Sequence, residues 1–231
     1  MGKHLEIEIE KLRKNLLRVG AIVEEALRRA VDAVMDCDEK AAAAVIAGDD
    51  ELDRMEVELE EECLKILALH QPVATDLRLI VAALKINNDL ERIGDYAVNV
   101  AERVQYLASR ERVEIPFDLP RMAEKCCVML KNCLDSFVNM DAGLAWDVCR
   151  SDDEVDEIHR GVYAAVHERV LAHPDQIDRL LQWVSISRYL ERIADHSTNI
   201  AEDVVYMLEG EIVRHRLCKG TRPRASANRP W

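Results

Sequence analysis

The sequence predicts an all-α protein, a tandem of two similar three-helix bundles, and three observations predict it. Apolar residues recur at spacings of three and four through most of the chain, a period that only a helix converts into one face. Glycine and proline number only 8 and 6 in 231 residues, about half their usual share, which leaves little material for tight turns and strands. The second half of the chain repeats the first, the mark of a duplicated supersecondary unit.

Leu5, Ile9, Leu12, Leu16, Val19, Val23, Leu27, Ala30 and Val34 share one face, so the first helix is predicted from about residue 5 to 36. Asp38 is placed to cap a second stretch through Ala47, with a bend expected around Gly48-Asp49-Asp50. Helix then resumes through Leu52, Met55, Leu59, Cys63 and Ile66 and must stop before Pro72. Proline suits the first turn of the next helix, and Ala74 to Leu107 runs on with Gly94 as its one weak point. Arg110 to Pro120, holding Pro116 and Pro120, reads as a linker. Past it the pattern restarts: Asp141 to His173 lies over Asp38 to His70 at an offset of 103, and Leu190-Glu191-Arg192-Ile193-Ala194-Asp195 lies over Leu90-Glu91-Arg92-Ile93-Gly94-Asp95 at an offset of 100. The three-residue change falls near Pro72 and Pro174, where a loop absorbs a deletion. The predicted organisation is a first bundle over 1–110, a linker over 111–120, a second bundle over 121–211 and a basic tail over 212–231 that reads as disordered, the two bundles meeting near residue 115.

Charge narrows the function. The formal net charge is −13, and the six basic residues after residue 211 leave −19 on the rest, which argues against a nucleic-acid binder. No stretch is long and apolar enough for a membrane span, and the alternating charge of Met1 to Glu10 does not resemble a signal peptide. Seven cysteines without a CxxC pair read as reduced thiols, mostly in the core, and point to the cytoplasm.

The candidate chemistry is carboxylate. Glu91, Asp95 and Glu102 fall within about 40° of one another on the face opposite the apolar stripe, with Asn99 beside them. A solvated acidic face is the ordinary reading of such a helix. Glu91 and Asp95, however, are like charges one turn apart, which costs an isolated helix about 0.2–0.5 kcal/mol. The second half repeats the arrangement as Glu191, Asp195, Asn199 and Glu202, and the preceding helices carry the same spacing as Asp49 with Asp53 and Asp152 with Asp156. Facing pairs would gather four carboxylates, a cluster that hard, oxygen-seeking divalent cations stabilise. Among the histidines, His159 is the one placed to join a cluster; His196 reads as an outer neighbour, and His70 and His173 as helix-end residues.

Gln71-Pro72-Val73-Ala74-Thr75-Asp76-Leu77-Arg78, the two Glu-Arg-Ile-x-Asp segments, and Asn99 and Asn199 resemble the PhoU family of phosphate-transport regulators over about residues 5 to 210. The resemblance implies a tandem of three-helix bundles whose Glu/Asp-x-x-x-Asp motifs hold multinuclear iron or zinc, at Asp49, Asp53, Glu91 and Asp95 in one half and Asp152, Asp156, Glu191 and Asp195 in the other. It further implies a cytoplasmic negative regulator without chemistry of its own, contacting the ATPase subunit of a phosphate ABC transporter and a phosphate-sensing histidine kinase. A homodimer without nucleic acid is expected, with at most peripheral membrane association. The second half departs from the family pattern at His173-Pro174-Asp175-Gln176-Ile177-Asp178-Arg179-Leu180. Two alternatives stay open on the sequence alone. A carboxylate-bridged di-iron oxidase or storage bundle would need Glu-x-x-His, to which Asp156-Glu157-Ile158-His159 is the nearest approach. A metal-free helical adaptor would need only the acidic faces.

Overall fold

The computed structural model describes residues 3–210, and the basic tail expected over 212–231 lies outside them. Seven α-helices account for most of that span: α1 (Lys3–Asp36), α2 (Glu39–Ile46), α3 (Asp49–His70), α4 (Ala74–Ala108), α5 (Leu119–Asn139), α6 (Ala142–Ala172) and α7 (Ile177–Glu209). A short 3-10 turn, Pro174–Gln176, leads into α7. No strand occurs among the described residues.

The repeat is visible in the turns. Cys37 and Met140, 103 residues apart, both take φ 53° and end α1 and α5 in the left-handed conformation. Each is followed by an aspartate that caps the next helix: Asp38 accepts from the amides of Lys40 and Ala41, and Asp141 from that of Leu144. Such caps satisfy amides that the first helical turn leaves without a partner. The halves differ in one respect. Helix breaks between α2 and α3 at Ala47–Gly48, whereas α6 runs unbroken through the matching Arg150–Ser151.

In the first bundle α1, the α2–α3 pair and α4 surround Leu12, Leu16, Leu27, Leu59, Ile66, Ile80 and Leu90, all essentially without solvent contact. In the second, α5, α6 and α7 do the same with Leu119, Met122, Met129, Val155 and Ile193. Burying one such side chain contributes about 1.5–3 kcal/mol, and truncating it to alanine costs about 2–5 kcal/mol.

The expected junction near residue 115 is only part of the connection. One continuous core runs through both bundles, because α4 packs along α7. Their contacts fix an antiparallel arrangement: Lys85 bridges Asp203 at 2.7 Å, Asp89 meets His196 at 2.7 Å, Tyr96 stacks on Tyr189 at 6.0 Å, and Arg103 reaches Gln182 at 3.4 Å. Small residues such as Ala83, Ala97, Ala101, Ala194 and Ala201 are fully buried along these helices and allow close approach. Both central helices therefore bury two faces. The segment joining the bundles is pinned as well, with Arg112 donating to Asp36 O at 3.0 Å and Arg169 bridging Glu114 at 2.7 Å.

Candidate metal centres

Each bundle carries an acidic seam where its middle helix packs on its last one. In the first, α3 and α4 run antiparallel: Asn87 Nδ2 donates to Glu56 O at 2.9 Å, and farther along Leu52 sits directly over Gly94. A Cβ on Gly94 would lie 2.2 Å from Leu52 Cδ2, so the absent side chain sets how closely α3 approaches. That approach brings Asp49 and Asp53 of α3 within electrostatic reach of Glu91 and Asp95 of α4. Burial first, then Asp53 and Asp95, raise the pKa of Asp49 above the usual carboxylate range. Burial and Asp95 do the same for Glu91, against the opposing pull of Arg92.

The second seam repeats this between α6 and α7. Asp152 is pushed up to about 7, by burial first and then by Asp195, Asp156, Asp153 and Glu191. Its Oδ1 is buried without a hydrogen-bond partner. Asp195 is raised by burial and by Glu191. Carboxylates in such a setting are relieved by a proton, a basic side chain or a cation.

A basic side chain is present in each seam. Arg92 lies 3.4 Å from Glu91 and 3.6 Å from Asp95, and Arg192 lies 3.6 Å from Glu191 and 3.4 Å from Asp195. Partners counted only at a spacing of four leave out the arginine inside each motif, which offsets part of the like-charge repulsion. The two glutamates do not face open solvent opposite the core: the Glu91 and Glu191 side chains are 24% and 21% exposed, against 38% and 37% for Asp95 and Asp195.

The other candidates make different contacts. Asn99 turns to its own helix, donating to Asp95 O at 2.8 Å, and Glu102 pairs with Arg103 at 2.9 Å. Asn199 reaches across to Asp89 at 3.4 Å, in the contact between bundles. Glu202 acts on the Cys149 thiol of α6, one of the groups that raise its pKa. His196 is not an outer neighbour but part of the α4–α7 interface, through Asp89. Glu56 escapes the spacing rule: its pKa is raised by burial, Glu60 and Asp53, and it adds to the first seam. Its signal lies in the repeat, since Glu56 plus 103 is His159, the histidine singled out beside Asp156.

Among the described residues, no three His, Cys, Asp or Glu side chains converge closely enough to form a finished metal site. The seams instead offer carboxylate oxygens suited to hard or borderline divalent cations, and in Asp152 Oδ1 an orphaned acceptor for one. Asp49, Asp53, Glu91 and Asp95, and their counterparts Asp152, Asp156, Glu191 and Asp195, are the residues that would hold them.

Fold and seams together define a class, duplicated three-helix-bundle proteins with one acidic seam per repeat. The PhoU domain matches this chain twice, over residues 16–104 and 119–204. A Clostridium acetobutylicum protein named phosphate-specific transport system accessory protein PhoU homolog is 33% identical over 212 residues, covering 91% of this chain and 97% of its own. The Pseudomonas aeruginosa protein of the same name is 37% identical over 216 residues, covering 93% and 89%. The crystal structure of PhoU from Pseudomonas aeruginosa superposes with a TM-score of 0.87 at 37% identity, over 89% of this chain and 99% of that one. The chain belongs to the PhoU family.

Proposed function

We propose that this protein is an accessory regulator of phosphate transport that keeps phosphate-starvation genes off when phosphate is plentiful. It acts in the cytoplasm by contact with the ATPase subunit of a phosphate ABC transporter and with a phosphate-sensing histidine kinase. The reading is carried by the relatives named as phosphate-specific transport accessory proteins, which align over nearly the whole chain. Two features agree with it. No helix among the described residues is long and apolar enough to cross a membrane, and the strongly acidic body suits basic partner surfaces.

Under this reading the two seams hold iron or zinc, which supplies positive charge to clustered carboxylates and fixes the helices that carry them. Deleting the gene should switch on phosphate-uptake genes in phosphate-rich medium, and the purified protein should capture the transporter ATPase and the kinase, less as salt rises. The combined variant Glu91→Gln, Asp95→Asn should lose metal from the first seam alone. Unchanged metal content would move the site elsewhere. Failure to capture either partner, together with oxygen-dependent iron oxidation, would replace the regulator with an oxidase. A second reading, an adaptor without metal, is favoured by Arg92 and Arg192, which already lie across the acids. Elemental analysis of protein purified without chelator or metal resin separates the two.

A further inference from the structure

α4 turns Arg78, Lys85, Asp89 and Tyr96 toward α7, and Asn87 and Gly94 toward α3. Between these two faces, on the open side, runs a stripe at spacings of three and four: Leu77, Val81, Leu84, Asn88, Glu91 and Asp95. Its first part is apolar and uncovered, with Leu77 41% exposed and Val81 and Leu84 half-buried. Its second part is the first acidic seam, beside which α3 carries nine acids and one base from Asp49 to Glu62.

The chain leaves α7 at the apolar end of this stripe. Gly210, at φ 74°, closes the helix in the left-handed conformation that turns a chain off the helix axis. It lies against Arg78, next to Leu77: a Cβ on Gly210 would be 3.4 Å from Arg78 Nη1. The residues that follow lie outside those described, and their sequence begins Ile212-Val213-Arg214-His215-Arg216, with six basic residues and no acid from 212 to 231. From the level of Arg78 to that of Glu91 is thirteen helical residues, about 20 Å. Six extended residues cover about the same distance, so Arg216 falls level with Glu91 when Ile212 and Val213 lie on Leu77 and Val81. Toward the second seam the open stripe of α7 offers Asn199, Glu202 and Tyr206 in place of aliphatic side chains.

The other exit from a central helix sets a precedent. The chain that leaves α4 crosses to the opposite bundle, where Arg179 donates to Glu111 O at 3.3 Å and Phe117 packs on Val162, Val166 and Leu180. At the offset of 100, Glu111 corresponds to residue 211.

We propose that residues 212–216 dock on the open stripe of α4, Ile212 and Val213 against Leu77 and Val81, with Arg214 and Arg216 over the first seam. The chain then carries its own cationic occupant for that seam, and a divalent cation or a basic partner surface must displace it. Burial and neighbouring acids hold Asp49, Glu56 and Glu91 above the usual carboxylate range, a state that adjacent guanidinium groups relieve. Tethering to α7 keeps the segment at a high effective concentration, so two ion pairs and a small apolar contact suffice.

The test is carboxyl footprinting of the full chain, freed of metal with a chelator, using carbodiimide and glycine ethyl ester with mass spectrometry. A chain ending at residue 211 should label several-fold faster at Glu56, Glu91 and Asp95 than the full chain, with Glu191 and Asp195 unchanged. Arg214→Gln with Arg216→Gln keeps the length and should reproduce most of that gain. So should about 1 M salt, where the Debye length is about 3 Å. Leu77→Ser should weaken the protection, and Arg216→Lys treated with carbodiimide alone should become linked to Glu56 or Glu91. Circular dichroism of each variant confirms that it is folded. Equal labelling in the full and shortened chains overturns the proposal. Protection that fades on dilution overturns it by assigning the segment to a second copy, and protection at Glu191 and Asp195 overturns it by assigning the segment to the second seam. These outcomes are read without metal or partner, so they leave the regulator reading to its own tests.

Discussion

Gly94→Ala tests whether the approach of α3 to α4 is set where the structure places it. Alanine is the better helix former by about 1 kcal/mol, so on propensity alone the variant should be more stable. The added Cβ, however, would lie 2.2 Å from Leu52 Cδ2 and 3.6 Å from Leu52 Cγ. Leu52 is only 3% exposed, and the atom met is the end of its side chain, so its rotamer must change or the helix must give. Overpacking of this kind costs about 1–3 kcal/mol, and the upper half of that range applies to a contact so short. The net expectation is a loss of about 1–2 kcal/mol, a fall in Tm of about 3–6 °C for a chain of this size. At the matching positions the second repeat carries Val155 and Ala194, both fully buried. Leu52→Val alone should cost about 1 kcal/mol for the lost methylene. The double variant Leu52→Val, Gly94→Ala copies the second repeat and should lie within about 1 kcal/mol of the parent. Urea unfolding of all four proteins closes the cycle, with an expected coupling of at least about 1 kcal/mol. If Gly94→Ala is neutral or stabilising, or if the two changes add within about 0.5 kcal/mol, the helices are not held apart by this contact.

Asp152 has a folded pKa of about 7 against an ordinary 3.8, so the folded protein keeps a proton that the unfolded chain has lost. Its contribution to stability is therefore full below about pH 4 and is lost as pH rises through 7; water at the half-open seam holds the effect to about 2 kcal/mol. In metal-free protein Asp152→Asn should flatten that part of the pH profile and stabilise at pH 8, and an unchanged profile by thermal melts would refute it. Lys85→Met removes a 2.7 Å bridge to Asp203, which is 2% exposed, and should cost about 2–3 kcal/mol in urea unfolding. A loss below about 0.5 kcal/mol would mean that the bridge does not hold Asp203. Arg92→Gln should raise divalent-metal affinity of the first seam several-fold by calorimetry, because the ion no longer competes with a guanidinium; weaker binding would show that Arg92 supports the site.

Much of this architecture was legible because it depends on neighbours in sequence. Asp38 and Asp141 announce their helices through a hydrogen bond that spans two or three residues, and the heptad-like stripes of the first and fourth helices are local patterns. The α4–α7 contact was not legible. The apolar stripe of α4 shows only the face turned to its own bundle, and the polar residues of the second buried face, Asp89 with His196 and Asn199 of α7, look like surface until the partner helix is in place. The seams lie between these extremes. Spacing of three and four put Asp49 with Asp53 and Glu91 with Asp95 on common faces, but it could not show that Asn99 and Glu102 turn away. Arg92 follows Glu91 directly and precedes Asp95 by three, positions from which a long side chain reaches both carboxylates only after the backbone is coiled.

Duplication within one chain explains why the two arms of the central interface need not match. Applying the offset of 100 to Asp89 and His196 gives Tyr189 and Tyr96, which are themselves in contact, so α4 and α7 are related by a local twofold passing near Tyr96 and His196. In a symmetric dimer of single repeats both arms would carry the same residues. Fusion removes that constraint, and here one arm is a half-buried Asp89–His196 pair at 2.7 Å while the other is a stack of Tyr96 on Tyr189. The two arms do different physical work. Aromatic stacking rewards buried area and tolerates a slide of the helices, whereas the ion-type pair does not: a shift of one turn would carry Asp89 away from His196 and Asn199 and leave its carboxylate buried alone, a cost of about 3–5 kcal/mol. The polar arm therefore fixes the register of α4 on α7, and through it the placement of each seam, since Glu91 and Asp95 fall between Asp89 and Tyr96 on α4 and Glu191 and Asp195 between Tyr189 and His196 on α7.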